Sequence, residues 1–263
     1  MPDRKTAVIT GASSGIGSIY ADRLAKRGYD LVLVARRLDR LEGLADKIKK
    51  AYGVNVEVLQ ADLEKDSDVA KVEHLLSTNP AVRVLVNNAG LARLKPLEQA
   101  PLQDSLAQIA LNITALTRLT HAVLPAFRKL NEGVIINIAS VLSIHAWSAS
   151  AVYSGTKGFV MNFTRGLQDE FANTGVKVQL VNPASTATEI WDNSGIPLSA
   201  LNQESVMTTE NMVDASLAGF DMGETITWPS VADATLWDKY DAARAALFAA
   251  TQTGKPAPRY NLA

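Results

Sequence analysis

The sequence predicts one α/β domain: a doubly wound parallel sheet with helices on both faces, in three layers. Two observations carry that prediction. Short apolar runs rich in β-branched residues alternate with longer stretches of helical period, which is how the strands and crossover helices of a parallel sheet read. The first run, Thr6-Ala7-Val8-Ile9, passes through a glycine-rich turn, Thr10-Gly11-Ala12-Ser13-Ser14-Gly15-Ile16-Gly17, straight into a helix. Right-handed crossovers then bring the strand C-termini to a common crevice.

Strands are predicted at 5–10, 30–35, 54–59, 82–87, 133–139 and 176–181, and helices at 15–28, 38–51, 66–79, 102–130 and 151–173. Along 102–130, Leu106, Ile109, Ile113, Leu116, Val123, Phe127 and Leu130 recur by threes, fours or sevens, the spacing of one buried face. After residue 183 the alternation fails. Residues 184–223 mix Ile190, Trp191, Ile196, Met207 and Phe220 with polar residues, which predicts a mobile apolar lid containing a short helix near 209–220. Glu224 to Pro229 reads as a last strand and 231–250 as a final amphipathic helix, so the domain is expected to run from 1 to 263.

The 26 Lys and Arg nearly balance the 27 Asp and Glu, and no basic run exceeds Arg36-Arg37 or Lys49-Lys50, so a nucleic-acid partner has no electrostatic footprint. Cysteine is absent, which excludes disulfides, zinc–thiolate sites and a thiol nucleophile, and no metal is expected. No uncharged run approaches ~18 residues, and Met1 to Lys5 lead directly into the first strand. A soluble, cytoplasmic protein with no membrane partner is the expectation.

Several motifs fall at the predicted strand ends. The turn Gly11-x3-Gly15-x-Gly17 leaves first-turn N–H groups of a helix unpaired at the positive end of its dipole, where a pyrophosphate can take them up. Asn87-Asn88-Ala89-Gly90 closes the fourth strand, and its small residues let an adenosine or ribose approach the backbone. Ser140 ends the fifth strand, with its hydroxyl at the crevice. Tyr153-x3-Lys157 puts a phenol and an ammonium on one helical face. Lys157 sits at the edge of the apolar stripe Val160, Leu167 and Phe171, where a lysine is disfavoured unless paired or working. The ammonium, together with the positive charge of an oxidised nicotinamide, is expected to lower the phenol from its usual ~10 toward the ~7 that suits proton transfer. Asn112 is a poor helix former inside the 102–130 helix, which suggests that it holds a water beside Lys157. His145 and Trp147 lie in the loop between Ser140 and Tyr153 and are candidates only for the substrate wall.

In order and spacing, these motifs together with Asp62-Leu63 and Asn182-Pro183 resemble the short-chain dehydrogenase/reductase family over residues 5–190. The resemblance implies a Rossmann-type fold and a catalytic tetrad of Asn112, Ser140, Tyr153 and Lys157. Serine would position a carbonyl, tyrosine act as acid/base, lysine bind the nicotinamide ribose and asparagine hold a relay water. It further implies a coenzyme held by Gly11, Ser13, Ser14, Gly15, Ile16 and Gly17, by Asp62 and Leu63 at adenine, by Asn88, Ala89 and Gly90, and by Pro183, Thr186 and Thr188, the last at the carboxamide. Two departures stand out: Pro183-Ala184 replaces the usual Pro-Gly, and the common C-terminal Gly-Gly pair is missing.

Coenzyme choice turns on Ala35-Arg36-Arg37, where an acidic residue would accept from the ribose 2′-hydroxyl of NAD. Two guanidinium groups suit a 2′-phosphate instead. The sequence therefore reads as an NADP(H)-dependent oxidoreductase that reduces a ketone, aldehyde or 3-oxoacyl carbonyl to an alcohol. The alternatives are an NAD-dependent alcohol dehydrogenase and a non-catalytic dinucleotide sensor on the same fold. The family norm implies a homodimer or homotetramer that uses the helices at 102–130 and 151–173.

Overall fold

The computed structural model describes residues 4–261. Seven parallel strands lie in the order β3-β2-β1-β4-β5-β6-β7. They are β1 Thr6–Thr10, β2 Asp30–Ala35, β3 Val56–Gln60, β4 Val82–Asn87, β5 Gly133–Ile138, β6 Val176–Val181 and the short β7 Ile226–Thr227. The strand order reverses between β1 and β4, so the loops after these two strands part and open a crevice.

Alternation along each strand divides the core between the two faces. Ala7, Ile9, Leu31 and Leu33 pack with Tyr20 and Leu24 of α1 (Gly15–Lys26) and with Leu41 and Ile48 of α2 (Leu38–Tyr52). Val8, Val32, Leu85 and Ile135 face the other way, against Val72 and Leu76 of α3 (Asp66–Thr78) and the helix that follows β4. Each such fully buried side chain contributes roughly 1.5–3 kcal/mol relative to exposure.

The helix expected over 102–130 is divided. It runs as α4 (Leu102–Ile109), a π-helical turn (Ala110–Ala115) and α5 (Leu116–Leu130). A π turn adds a residue and rotates the following face by about 100°. Leu116, Leu119, Val123 and Phe127 are therefore buried, whereas Leu106 and Ile109, expected on the same face, are exposed; Leu130, also expected there, is exposed as the last residue of α5. Asn112 sits in the widened turn.

The lid expected over 184–223 is shorter than the sequence suggested. Residues 209–221 form α7 (Thr209–Asp221), whose Met212, Val213 and Leu217 belong to the core. Tyr20 and Ser216 share a buried hydrogen bond of 2.5 Å, and Arg23 pairs with Asp214 at 2.7 Å. Only the stretch from 184 to about 208, which contains three short 3-10 turns, keeps a lid's irregular character. The sheet unit ends at Pro229; the residues from Ser230 onward form a second compact unit. That unit contains α8 (Thr235–Ala250), which is expected to be amphipathic but has no buried residue.

Candidate active site

A cleft of about 650 Å³ follows the C-terminal edge of the sheet. Gly11, Ser13, Ser14, Gly15, Ile16, Arg36, Arg37, Asp62, Leu63, Asn88, Ala89 and Gly90 line it, as do Ser140, Tyr153, Lys157, Pro183, Thr186 and Thr188. Gly17 and Asn112, also expected at the site, stand behind its walls.

The turn between β1 and α1 forms one end of the cleft. Gly15 takes φ = +56°, a left-handed conformation that glycine adopts without strain. A Cβ at Gly17 would come within 2.4 Å of Gly11 O, so only glycine lets α1 start this close to the loop. No side chain caps α1 at Ser14, which leaves the first-turn N–H groups to a ligand. Thr10 Oγ1 accepts from the N–H groups of Asn88 and Ala89, both at 3.0 Å, and Asn88 Nδ2 donates to Thr10 O at 2.8 Å. Asn88 thus pins the loop after β4 to the loop after β1, and its small neighbours Ala89 and Gly90 form the floor. This cradle fits the pyrophosphate of a dinucleotide.

Arg37 crosses the mouth of the cradle. Its Nε and Nη2 donate to Ser13 Oγ at 3.2 and 2.9 Å, and Nη2 donates to Ser14 Oγ at 2.7 Å. Its Nη1 donates to Glu189 at 2.6 Å, and Arg40 donates to the other oxygen of that carboxylate at 2.5 Å. The two guanidinium groups hold Glu189 far below the usual carboxylate range, down to about 2. Arg36 is exposed and pairs with Glu64 at 3.2 Å. A cationic cluster beside the cradle suits a phosphate on the adenosine ribose. Sequence reasoning missed Arg40 and Glu189: Arg40 lies one helical turn beyond Arg37, a signal that was available, whereas Glu189 comes from a distant loop.

At the other end β5 delivers Ser140, and the first turns of α6 (Ala151–Glu170) deliver Tyr153 and Lys157. Ser140 Oγ accepts from Leu142 N–H at 3.1 Å, and its hydroxyl stands beside the Tyr153 phenol. Lys157 Nζ donates to Ile138 O at 2.9 Å and lies 5.7 Å from the Tyr153 ring centroid. On balance the protein's own groups do not lower the phenol. Burial pushes Tyr153 up to about 12, against a smaller lowering by Ser140. The same burial pulls Lys157 down to about 8, because charge is costly where water is excluded. Tyr153 is therefore a neutral phenol at physiological pH, suited to donating a proton.

Asn112 is fixed by protein partners. Its Oδ1 accepts from Leu91 N–H at 2.9 Å, while Nδ2 donates to Leu91 O at 2.9 Å and to Thr156 Oγ1 at 3.0 Å. Thr156 in turn donates to Tyr153 O at 2.7 Å, so the residue clamps the π turn, the loop after β4 and the helix carrying Tyr153 into one unit. A Cβ at Gly90 would lie 3.5 Å from Asn112 Oδ1 and 3.7 Å from Lys157 Nζ, so the bare glycine keeps a gap between them. Thr186 is buried, with its hydroxyl on Ala184 O at 3.2 Å, and Thr188 sits against Gly15. His145 does not line the cleft; Trp147 does.

The described residues contain no group of three or more candidate metal ligands, and none of their helices is long and apolar enough to cross a membrane. Residues 5–197 match the family model for short chain dehydrogenases. Human 17-beta-hydroxysteroid dehydrogenase type 3 is 35% identical over 184 residues, which cover 69% of this chain and 59% of that protein. The match thus spans about three fifths of this relative's length. A short-chain dehydrogenase from Sphingobium yanoikuyae in complex with NADPH superposes with a TM-score of 0.93 at 43% identity, covering 96% of this chain and 98% of that one. The bulky-bulky ketone specific alcohol dehydrogenase from Comamonas testosteroni gives 0.88 at 38%, covering 97% and 98%.

Proposed function

The chain belongs to the short-chain dehydrogenase family, and from that premise we propose that it is an NADP(H)-dependent reductase of ketones carrying bulky apolar groups. The observation that carries this reading is that Ser140, a neutral Tyr153 phenol and Lys157 line one cleft together with apolar walls. Three loops contribute those walls: Leu91 and Leu94 after β4, Leu142 and Trp147 after β5, and Ile190 and Trp191 after β6. NADPH in the Sphingobium relative supports the coenzyme assignment, as does the cationic cluster around Arg37. The steroid and bulky-ketone activities named for two relatives support the substrate class.

When bound, the reduced nicotinamide supplies a hydride for the carbonyl carbon. Tyr153 Oη gives its proton to the carbonyl oxygen. Ser140 Oγ accepts from Leu142 N–H and keeps its own O–H to donate to the carbonyl oxygen. Lys157, anchored on Ile138 O, keeps two further N–H donors for a ribose hydroxyl and places positive charge beside the phenolate that proton transfer creates. Steady-state rates over a ketone panel test the substrate class. Each buried methylene is worth ~0.8 kcal/mol, about fourfold in kcat/KM. Aryl and steroid ketones are expected to outrun acetone by orders of magnitude, and equal rates would contradict the reading.

Reduction is expected to slow above about pH 8 as Lys157 loses its charge. A neutral lysine no longer stabilises the phenolate left by proton transfer, so the barrier rises. Lys157→Met should lower kcat/KM and abolish that alkaline limb; an unchanged limb would exclude Lys157 as its source. We also assign the exposed stripe Leu102, Leu106 and Ile109 to contact with a second copy of the chain. Leu106→Glu is then expected to lower the mass measured by light scattering, with wild-type circular dichroism retained.

A further inference from the structure

The turn Glu189–Asn193 and the residue after it are tied at both ends by contacts that the proton transfer does not use. At the coenzyme end, the Glu189 carboxylate bridges Arg37 and Arg40 at 2.6 and 2.5 Å. At the substrate end, Arg93 Nη1 donates to Asn193 O and Leu94 N–H to Ser194 O, both at 2.6 Å. Between them Trp191 donates its indole N–H to Thr186 O at 2.8 Å, which holds the ring as a wall of the cleft. One short strap thus joins the arginine cluster to the substrate wall.

We propose that Glu189 is a specificity-determining residue: an internal carboxylate that occupies the guanidinium groups of Arg37 and Arg40 in place of the ribose 2′-phosphate. A coenzyme bearing that phosphate displaces it and releases the coenzyme end of the strap. This rests on the NADP(H) reading given above. Arg37 has three of its five N–H groups on Ser13 and Ser14 and a fourth, on Nη1, on Glu189, so a phosphate that takes both Nη1 donors, or bridges to Arg40, competes with Glu189. Two anions cannot share these groups without repulsion at short range, and a phosphate carries more charge and more acceptor oxygens than a carboxylate. NADH lacks the phosphate and leaves the strap closed.

The test uses 2′,5′-ADP and 5′-AMP, which differ only in the 2′-phosphate, titrated calorimetrically into the whole protein. Glu189 is exposed and outside the core, so Glu189→Gln leaves the fold intact. The variant is expected to bind 2′,5′-ADP about tenfold tighter than wild type and 5′-AMP unchanged. Amide exchange over 189–194 in the wild type should speed up with 2′,5′-ADP and not with 5′-AMP. Unchanged or weaker 2′,5′-ADP binding by the variant would overturn the proposal and make Glu189 a holder of the arginines; equal gains for both ligands would overturn it as a general charge effect. A wild type that does not prefer 2′,5′-ADP would overturn the NADP(H) reading and the proposal together, a result distinct from failure of the proposal alone.

Discussion

Tyr153→Phe is expected to lower the rate of ketone reduction by about 10²–10⁴-fold while leaving fold and coenzyme affinity unchanged. The substitution removes one hydroxyl and keeps the ring. It deletes the proton donor but not the Asn112–Thr156 clamp that seats this turn of α6. Lys157 is anchored on Ile138 O, and His145 is not among the residues that line the cleft. Single-turnover measurements with coenzyme already bound would separate this loss from any change in binding. A variant that retained more than about a tenth of wild-type rate would show that the proton comes from elsewhere.

Arg37→Ala is expected to weaken NADPH by ~10–150-fold and NADH far less. A charge-assisted arginine–phosphate contact at a half-exposed site is worth roughly 1.5–3 kcal/mol. Arg36→Ala should do less, because Arg36 is the more exposed of the two at the cleft edge and pairs with Glu64. Adding Ala35→Asp to the two alanines supplies an acceptor for a ribose hydroxyl and repels the 2′-phosphate, so the preference should invert. Fluorescence titration with both coenzymes checks this; equal losses of NADPH and NADH in Arg37→Ala would mean that the arginine only braces Ser13 and Ser14.

The sheet was legible in the sequence because β2, β4 and β6 are buried along nearly their whole length and read as apolar runs, so they fall within a residue of their expected ends. The π turn was not legible. One slipped hydrogen bond leaves apolar spacing almost intact, yet it turned Leu106 and Ile109 outward. The apolar residues of 209–221 looked like a lid and proved to be core, since composition does not say whether Met212 and Leu217 cover a ligand or Tyr20. Ser140, Tyr153 and Lys157 were found from their positions on elements, but their proton affinities were not. Burial raised the phenol and lowered the amine, and burial belongs to the folded chain. Glu189 was invisible for the same reason: its partners Arg37 and Arg40 lie about 150 residues away in the chain.

The most direct test of the central claim is to follow the label from NADPH carrying deuterium at the transferable position of nicotinamide C4, with a diaryl ketone as acceptor. The account predicts one deuterium on the carbinol carbon of the product, formed much faster than with equally labelled NADH and reduced about 10²–10⁴-fold in Tyr153→Phe. An alcohol without label, no alcohol at all, or equal transfer from NADH would contradict it.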